Sequence, residues 1–367
     1  MSGGLFQGQF RGRGALSNEA GRFESSDLTP FDDGWAVDGL SERGQVGESP
    51  SLPTVIQPEV TRSLITTNSS PDIPFNQSIN PYRGCEHGCV YCYARPSHAF
   101  LGLSPGLDFE TRIFSKPDAG NLLRSELSRR SYRPQVIALG ANTDPYQPAE
   151  ARLSITRAIL EVLSESGHPV GILTKSAGIL RDGDLLASMA SRNLVSVNIS
   201  VTSLDAELSA KLEPRASSPA RRLHAIRSLS ERGIPVHAMV SPVIPALTDS
   251  ELERILDACQ RAGARSASTI LVRLPREVES LFTEWLDNHY PDRKEKVLAL
   301  LREARDGRLN DPAFGSRMIG SGPYANLIQQ RFRKATSRLG LAARPGRLSF
   351  EHFRPPRGDR RQLGLFS

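Results

Sequence analysis

Six short apolar runs, separated by stretches of helical periodicity, restrict the possible folds of this chain more than any other feature. They cover residues 75–81, 135–140, 169–175, 194–201, 234–240 and 266–274. Each is short and largely apolar, with turn-forming residues at its ends, and so reads as a strand; the later ones are rich in β-branched residues. The intervening residues 118–130, 149–166, 184–191, 220–231 and 248–262 carry the three-and-four spacing of helices. A strand that follows a helix back to its neighbour pairs in parallel through a right-handed crossover. Six such units predict an α/β fold, a closed or partly closed (β/α) barrel, with its chemistry in the loops that leave the strands.

The flanks read differently. Residues 1–60 are rich in Gly, Ser, Asp and Pro without a sustained apolar period, and predict an irregular, flexible arm in which Phe10, Leu16 and Phe23 could act as docking anchors. Residues 61–275 form the barrel, 276–340 a helical extension with helices near 280–288, 293–305 and 324–339, and 341–367 an extended basic tail. The net charge of +6 is concentrated at that end, since residues 331–367 hold ten Lys or Arg against two acids. Such a tail suits an anionic polymer, nucleic acid included, or simply keeps a protein soluble. No run of about 18 apolar residues occurs and no basic start leads into an apolar core, so the expectation is a cytoplasmic protein without a membrane span.

Three of the four cysteines, Cys85, Cys89 and Cys92, fall in the loop after the first strand with C-x3-C-x2-C spacing. Clustered thiolates suit iron–sulfur clusters or zinc, and both ordinarily take four ligands, so three close cysteines leave one position open. Gly84 and Gly88 let the backbone wrap a compact ligand, and Tyr91 and Tyr93 bracket the last cysteine. The alternative is a zinc site completed by His87 or His98.

Together, Cys85, Cys89, Tyr91 and Cys92 resemble the C-x3-C-φ-C signature of the radical S-adenosylmethionine (SAM) enzymes, where φ is aromatic. The resemblance implies a partial (β/α)6 barrel of the TIM type, with an irregular N-terminal arm and a helical, basic C-terminal extension added here. It implies a [4Fe–4S] cluster held by Cys85, Cys89 and Cys92, with the fourth iron chelating SAM. It also implies reductive cleavage of SAM to a 5′-deoxyadenosyl radical, hydrogen abstraction from a substrate that the sequence does not identify, and an electron donor such as flavodoxin or ferredoxin.

The remaining loops extend the pattern. After the second strand, Asn142, Thr143 and Asp144 offer short polar side chains where relatives bind the amino group of SAM. The loop lacks the double glycine usual there and is similar to that of the spore photoproduct lyase branch; plain capping of the next helix is the other reading. Lys175, at the end of the third strand, needs an anion beside it. The resemblance makes that anion the SAM carboxylate. On the fourth strand Asn198, Ser200 and Thr202 share one face, with Val197, Ile199 and Val201 on the other, so the polar stripe should face the lumen and Ser200 is a candidate ligand. Glu213 and Arg215 lie in an E-P-R segment that the branch keeps near SAM, while Arg221 and Arg222 read as helix-surface charges. Thr248 and Glu251 predict a capping box, and Cys259 a small core residue on the helix that follows.

Two further readings concern nucleic acid. Repair or modification of DNA or RNA is suggested by the branch, although lyase chemistry would want a spare cysteine near the substrate and Cys259 lies on an outer helix. A zinc-stabilised nucleic-acid-binding protein without catalysis is the contrasting class. Finally Gln362, Leu363, Leu365 and Phe366 resemble the Q-L-x-L-F peptide that docks on bacterial sliding clamps.

Overall fold

The computed structural model describes residues 9–24 and 51–356. Ten strands follow in chain order: β1 (Val55–Pro58), β2 (Thr66–Thr67), β3 (Gln77–Ile79), β4 (Tyr82–Arg83), β5 (Arg112–Ser115), β6 (Ile137–Leu139), β7 (Val170–Thr174), β8 (Val195–Ser200), β9 (Val236–Val243) and β10 (Ser266–Leu271). The first helices are α1 (Asp108–Thr111), α2 (Ala119–Leu127), α3 (Glu150–Leu153), α4 (Ile155–Glu165), α5 (Gly183–Ser191) and α6 (Ala206–Leu212). They are followed by α7 (Pro219–Glu231), α8 (Leu252–Arg261), α9 (Val278–His289), α10 (Pro291–Glu303), α11 (Ser316–Ile319) and α12 (Gly322–Leu339).

Seven strands form one sheet in the order β10-β9-β8-β7-β6-β3-β2. The pairs from β3 through β10 are all parallel, and β2 adds to β3 in antiparallel fashion. Among the described residues β10 and β2 stay unpaired with each other. The result is the expected partial (β/α)6 barrel, open along one side.

Why the sheet faces as it does is visible on β8. Val195, Val197 and Ile199 are fully buried under the outer helices, while the alternate residues Ser196, Asn198 and Ser200 turn to the lumen. On α8, Leu252, Ile255, Leu256 and Cys259 make one apolar stripe, wholly buried in the same core. Burying each large side chain of this kind stabilises by about 1.5–3 kcal/mol. Cys259 is thus a core residue, as expected.

Several expectations need correction. The predicted helix 149–166 is two helices, broken at Ser154 with φ of +53°. The capping box does not form: Thr248 Oγ1 accepts from the Ile244 amide at 2.8 Å, and the Glu251 carboxylate is taken by Ser203 and the Leu204 amide. Helix α6 and a small sheet of order β1-β5-β4 were not foreseen; α6 starts where Asp205 Oδ1 accepts from the amides of Glu207 and Leu208.

The N-terminal arm is docked over residues 9–24. Arg13 donates to the carbonyl of Glu110 at 2.8 Å and of Leu52 at 2.6 Å, and Ala15 is fully buried against Leu107 and Leu281. At the other end residues 341–356 strap the face where the strands begin. Ala342 bridges Ser266, the Ser349 amide bonds the Asn193 carbonyl, and the Arg354 amide bonds the Ser166 carbonyl. The clamp-like peptide at residues 362–366 lies outside the described residues. No helix among those described is long and apolar enough to cross a membrane.

Candidate active site

The cysteine loop leaves β3 and passes over the ends of the strands. Gly84 has φ of +76° and Gly88 φ of +67°, which favours glycine at both. A Cβ on Gly84 would lie 2.9 Å from the Phe109 carbonyl, and one on Gly88 2.7 Å from the Glu110 carboxylate. The loop is then held by its own amides: Cys85 to Phe109, Val90 to Leu212 and Cys92 to the Cys89 carbonyl. Arg95, completely buried, donates to the carbonyls of Cys89, Gly88, Pro105 and Gly106 and pairs with Glu110. All three cysteines are free; Cys85 and Cys89 are buried and Cys92 partly so. Burial pushes each thiol up from its ordinary value.

Lys175 sits at the end of β7 and is the centre of a second group. Its Nζ lies 2.6 Å from Ser200 Oγ, 3.3 Å from Thr202 Oγ1, 3.0 Å from Glu213 Oε1 and 5.7 Å from the Tyr91 ring. Glu213 is buried and takes three further donors, the Tyr91 hydroxyl, Thr202 Oγ1 at 2.7 Å and the Arg222 guanidinium. Burial alone would raise the Glu213 carboxyl, but Arg222 and Lys175 more than reverse this and hold it below the usual carboxylate range. Two cations and one anion leave this buried group with a surplus positive charge. Ser241 adds a carbonyl that accepts from Ser200 at 2.8 Å, and a buried hydroxyl that finds no partner among the described residues.

The two groups meet through one residue. Tyr91 stands between Cys89 and Cys92, and its hydroxyl donates into the Glu213 carboxylate that Lys175 also touches.

The sequence-based candidates divide accordingly. Tyr91, Lys175 and Ser200 converge at the mouth. Thr143 and Asp144 fasten loops: Thr143 Oγ1 donates to the Tyr82 carbonyl at 2.7 Å, and Asp144 accepts from the Lys175 amide, Thr174 and Tyr146 and lies 3.3 Å from His87 Nδ1. Asn142 is exposed, with its amide on Asn80 Oδ1 at 2.8 Å. Arg215 turns to the N-terminal arm, 3.1 Å from Glu86 and 3.2 Å from Thr54 Oγ1. Arg222 corrects an expectation outright: at 1% side-chain exposure it is a buried partner of Glu213 and no surface charge. Its helix starts at Pro219 with the side chain turned under the mouth, where its Nη1 also reaches the Ser200 carbonyl. Sequence reasoning missed Arg95, Glu110 and Arg222, because an arginine in a polar helix carries no local sign of burial. Among the described residues no three His, Cys, Asp or Glu side chains, Cys85, Cys89 and Cys92 included, are gathered closely enough to hold a single metal ion. His98 bonds the Arg112 carbonyl instead, and burial holds its ring at about 4.

Comparison with known proteins decides the family. Residues 79–259 match the radical SAM superfamily. An uncharacterised protein of Mycobacterium tuberculosis is 37% identical over 279 residues, covering 74% of this chain and 82% of the relative. The chain belongs to the radical SAM superfamily. It is therefore an enzyme, and membership brings a [4Fe–4S] cluster and SAM as cofactors. The radical SAM fold itself is shared with spore photoproduct lyase, solved with AdoMet and a dinucleoside spore photoproduct, at a TM-score of 0.55 and 15% identity over 79% of this chain and 81% of that one. A radical SAM Nα-GlyT isomerase of Pseudomonas phage M6 is 25% identical over 277 residues, 73% of this chain and 53% of that protein.

Proposed function

We propose that Cys85, Cys89 and Cys92 ligate the cluster and that the group around Lys175 receives SAM. The supporting observation is the junction just described, in which the residue between two of the cysteines reaches the carboxylate that neutralises Lys175. When bound, the cluster and SAM supply a 5′-deoxyadenosyl radical that abstracts a hydrogen atom from the substrate.

The residues fit both groups. Three free thiols on one loop match the soft donor set of a cluster that keeps one iron open. The surplus positive charge beside Ser200, Thr202 and the unpartnered Ser241 hydroxyl suits the carboxylate of an amino acid. Arg95 fixes the loop backbone at the Cys89 and Gly88 carbonyls, so the thiols are presented without a search among loop conformations. Asp144, by taking the Lys175 amide at 2.7 Å and Thr174 Oγ1 at 2.7 Å, holds the end of β7 in place. Residues 61–275 act in this reading as the catalytic barrel, with 276–340 closing one side.

Anaerobic reconstitution tests the reading. Purified protein should take up about four irons per chain and, with dithionite and SAM, release 5′-deoxyadenosine. Colourless protein that binds no iron, or iron-loaded protein inert toward SAM, would sink it.

A further inference from the structure

The open side of the barrel lies between β10 and the β2–β3 pair, and two contacts cross it. Asp72, in the connection between β2 and β3, accepts from Arg317 Nε at 2.7 Å and Nη2 at 2.5 Å, and from the Gly315 amide at 3.3 Å. Arg273, just beyond β10, lies with its guanidinium 5.1 Å from the centre of the Tyr93 ring. Tyr93 follows Cys92 directly, and its hydroxyl donates to the Ala141 carbonyl beyond β6. Arg273 therefore stands over the entrance, next to the proposed cluster loop.

The two arginines differ in what they hold. Arg317 is neutralised in a two-pronged pair with Asp72. Arg273 has no hydrogen-bonded partner among the described residues; it has the Tyr93 face and the distant field of Asp72, set against the larger opposing field of Arg317. Arg305, the other arginine in this region, shows the usual alternative, donating to the carbonyls of Leu271, Val272 and Arg317. A guanidinium has five donors in a fork that matches phosphate or carboxylate, and here those donors face solvent, open to an anionic ligand. Each of the two arginines lies over an exposed ring, Arg273 over Tyr93 at 46% exposure and Arg317 4.8 Å over Phe314 at 60%. Rings alternating with guanidinium groups take planar bases joined to phosphates, whereas an acidic peptide would have no use for the rings.

We propose that Arg273 contacts a phosphate of the substrate at the side opening and that Tyr93 and Phe314 stack its ring, which makes the substrate a nucleotide unit, free or within a single strand. The inference rests on the radical SAM reading above, because only then is the opening the way to the chemistry.

The test uses cluster-loaded, SAM-bound full-length protein under anaerobic conditions. A fluorescently labelled eight-residue thymidine oligonucleotide is followed by anisotropy in about 150 mM salt, where contacts to exposed cations are largely screened. Arg273→Gln should weaken binding about tenfold or more, as loss of a charged hydrogen-bond donor does, and Arg273→Lys should recover part of it. Phe314→Ala should weaken it about fivefold or more. Arg333→Gln, on the exposed face of α12, should change it less than about twofold. Competition by thymidine monophosphate as strong as by unlabelled oligonucleotide assigns a free nucleotide, and competition by the oligonucleotide alone assigns a strand. Equal binding by wild type and Arg273→Gln, no binding by wild type, or better competition by a hexaglutamate peptide would overturn the proposal. Iron measured on the same wild-type sample separates the two failures. Protein without iron refutes the radical SAM reading, whereas iron-loaded protein indifferent to Arg273→Gln refutes this one alone.

Discussion

The carboxylate of Glu110 accepts the backbone amide of Gly14 at 2.9 Å, and its other oxygen accepts that of Ala15 at 2.9 Å. The same carboxylate pairs with Arg95, and neither side chain of that pair is exposed. One buried acid thus joins the N-terminal arm to the arginine that holds the Cys89 carbonyl. A Cβ on Gly14 would stand 1.8 Å from the Gly88 carbonyl, so the arm lies on the cysteine loop with no room for a side chain. Glu110→Ala leaves Arg95 buried without its partner, a loss on the order of 3–5 kcal/mol. The expected outcome for Glu110→Ala, and for Gly14→Val, is a lower unfolding temperature together with reduced iron uptake. Full iron content in both variants would show that the arm is dispensable to the loop.

Cysteine replacement separates the loop from the core. Cys85→Ala, Cys89→Ala and Cys92→Ala should each abolish cluster assembly as read by iron analysis and visible absorption. Cys259→Ala should assemble normally and lose only about 1 kcal/mol, the usual cost of a small core truncation. Full iron in any of the three loop variants would remove that cysteine from the ligand set.

At the mouth, Lys175→Ala should weaken SAM binding about tenfold or more while leaving the cluster in place. Calorimetric titration of SAM into reconstituted protein reads this directly. Unchanged affinity would assign Lys175 to Glu213 alone, as the internal partner seen at 3.0 Å.

Acid should destabilise the barrel through its buried histidines. Burial holds His168 and His237 down at about 4, from an ordinary value of 6.5. Both rings are neutral in the folded and unfolded chains above pH 6.5, so nothing is lost there. As the pH falls from 6.5 toward 4 the unfolded chain binds the proton first, and each histidine withdraws up to about 3 kcal/mol of stability. His98 is held down in the same way, so thermal unfolding recorded from pH 7 to pH 4 should show the decline, and His237→Asn should remove only its own share of it. An unfolding temperature constant across that range would refute the neutral assignment.

The parts of this architecture that were legible in sequence were local. Strand runs such as 194–201 show both faces within eight residues, and the cysteine spacing and Lys175 sit at strand ends that the periodicity locates. Contacts between distant segments were not legible. Glu110 meets Gly14 across 96 residues and Arg317 meets Asp72 across 245, and no periodicity ties such positions together. Arg222 was misread for a related reason, since its helix is polar enough to look like surface and its partner Glu213 lies in the preceding loop. The first strand of the small sheet was hidden likewise, because Val55–Pro58 gains its partner only when Arg112–Ser115 arrives alongside.

The C-terminal strap has a consequence for handling and orientation. Pro356, the last residue described, accepts from Ser128 Oγ at 2.9 Å just past the end of α2, on the face opposite the strand mouth. His352 lies so close to Gly167 that a Cβ there would be 2.2 Å from its carbonyl, so the chain is pinned to the base at this point. A resin or surface that takes hold of the strap at residues 341–356 would therefore carry the enzyme by its base and leave the strand mouth facing outward.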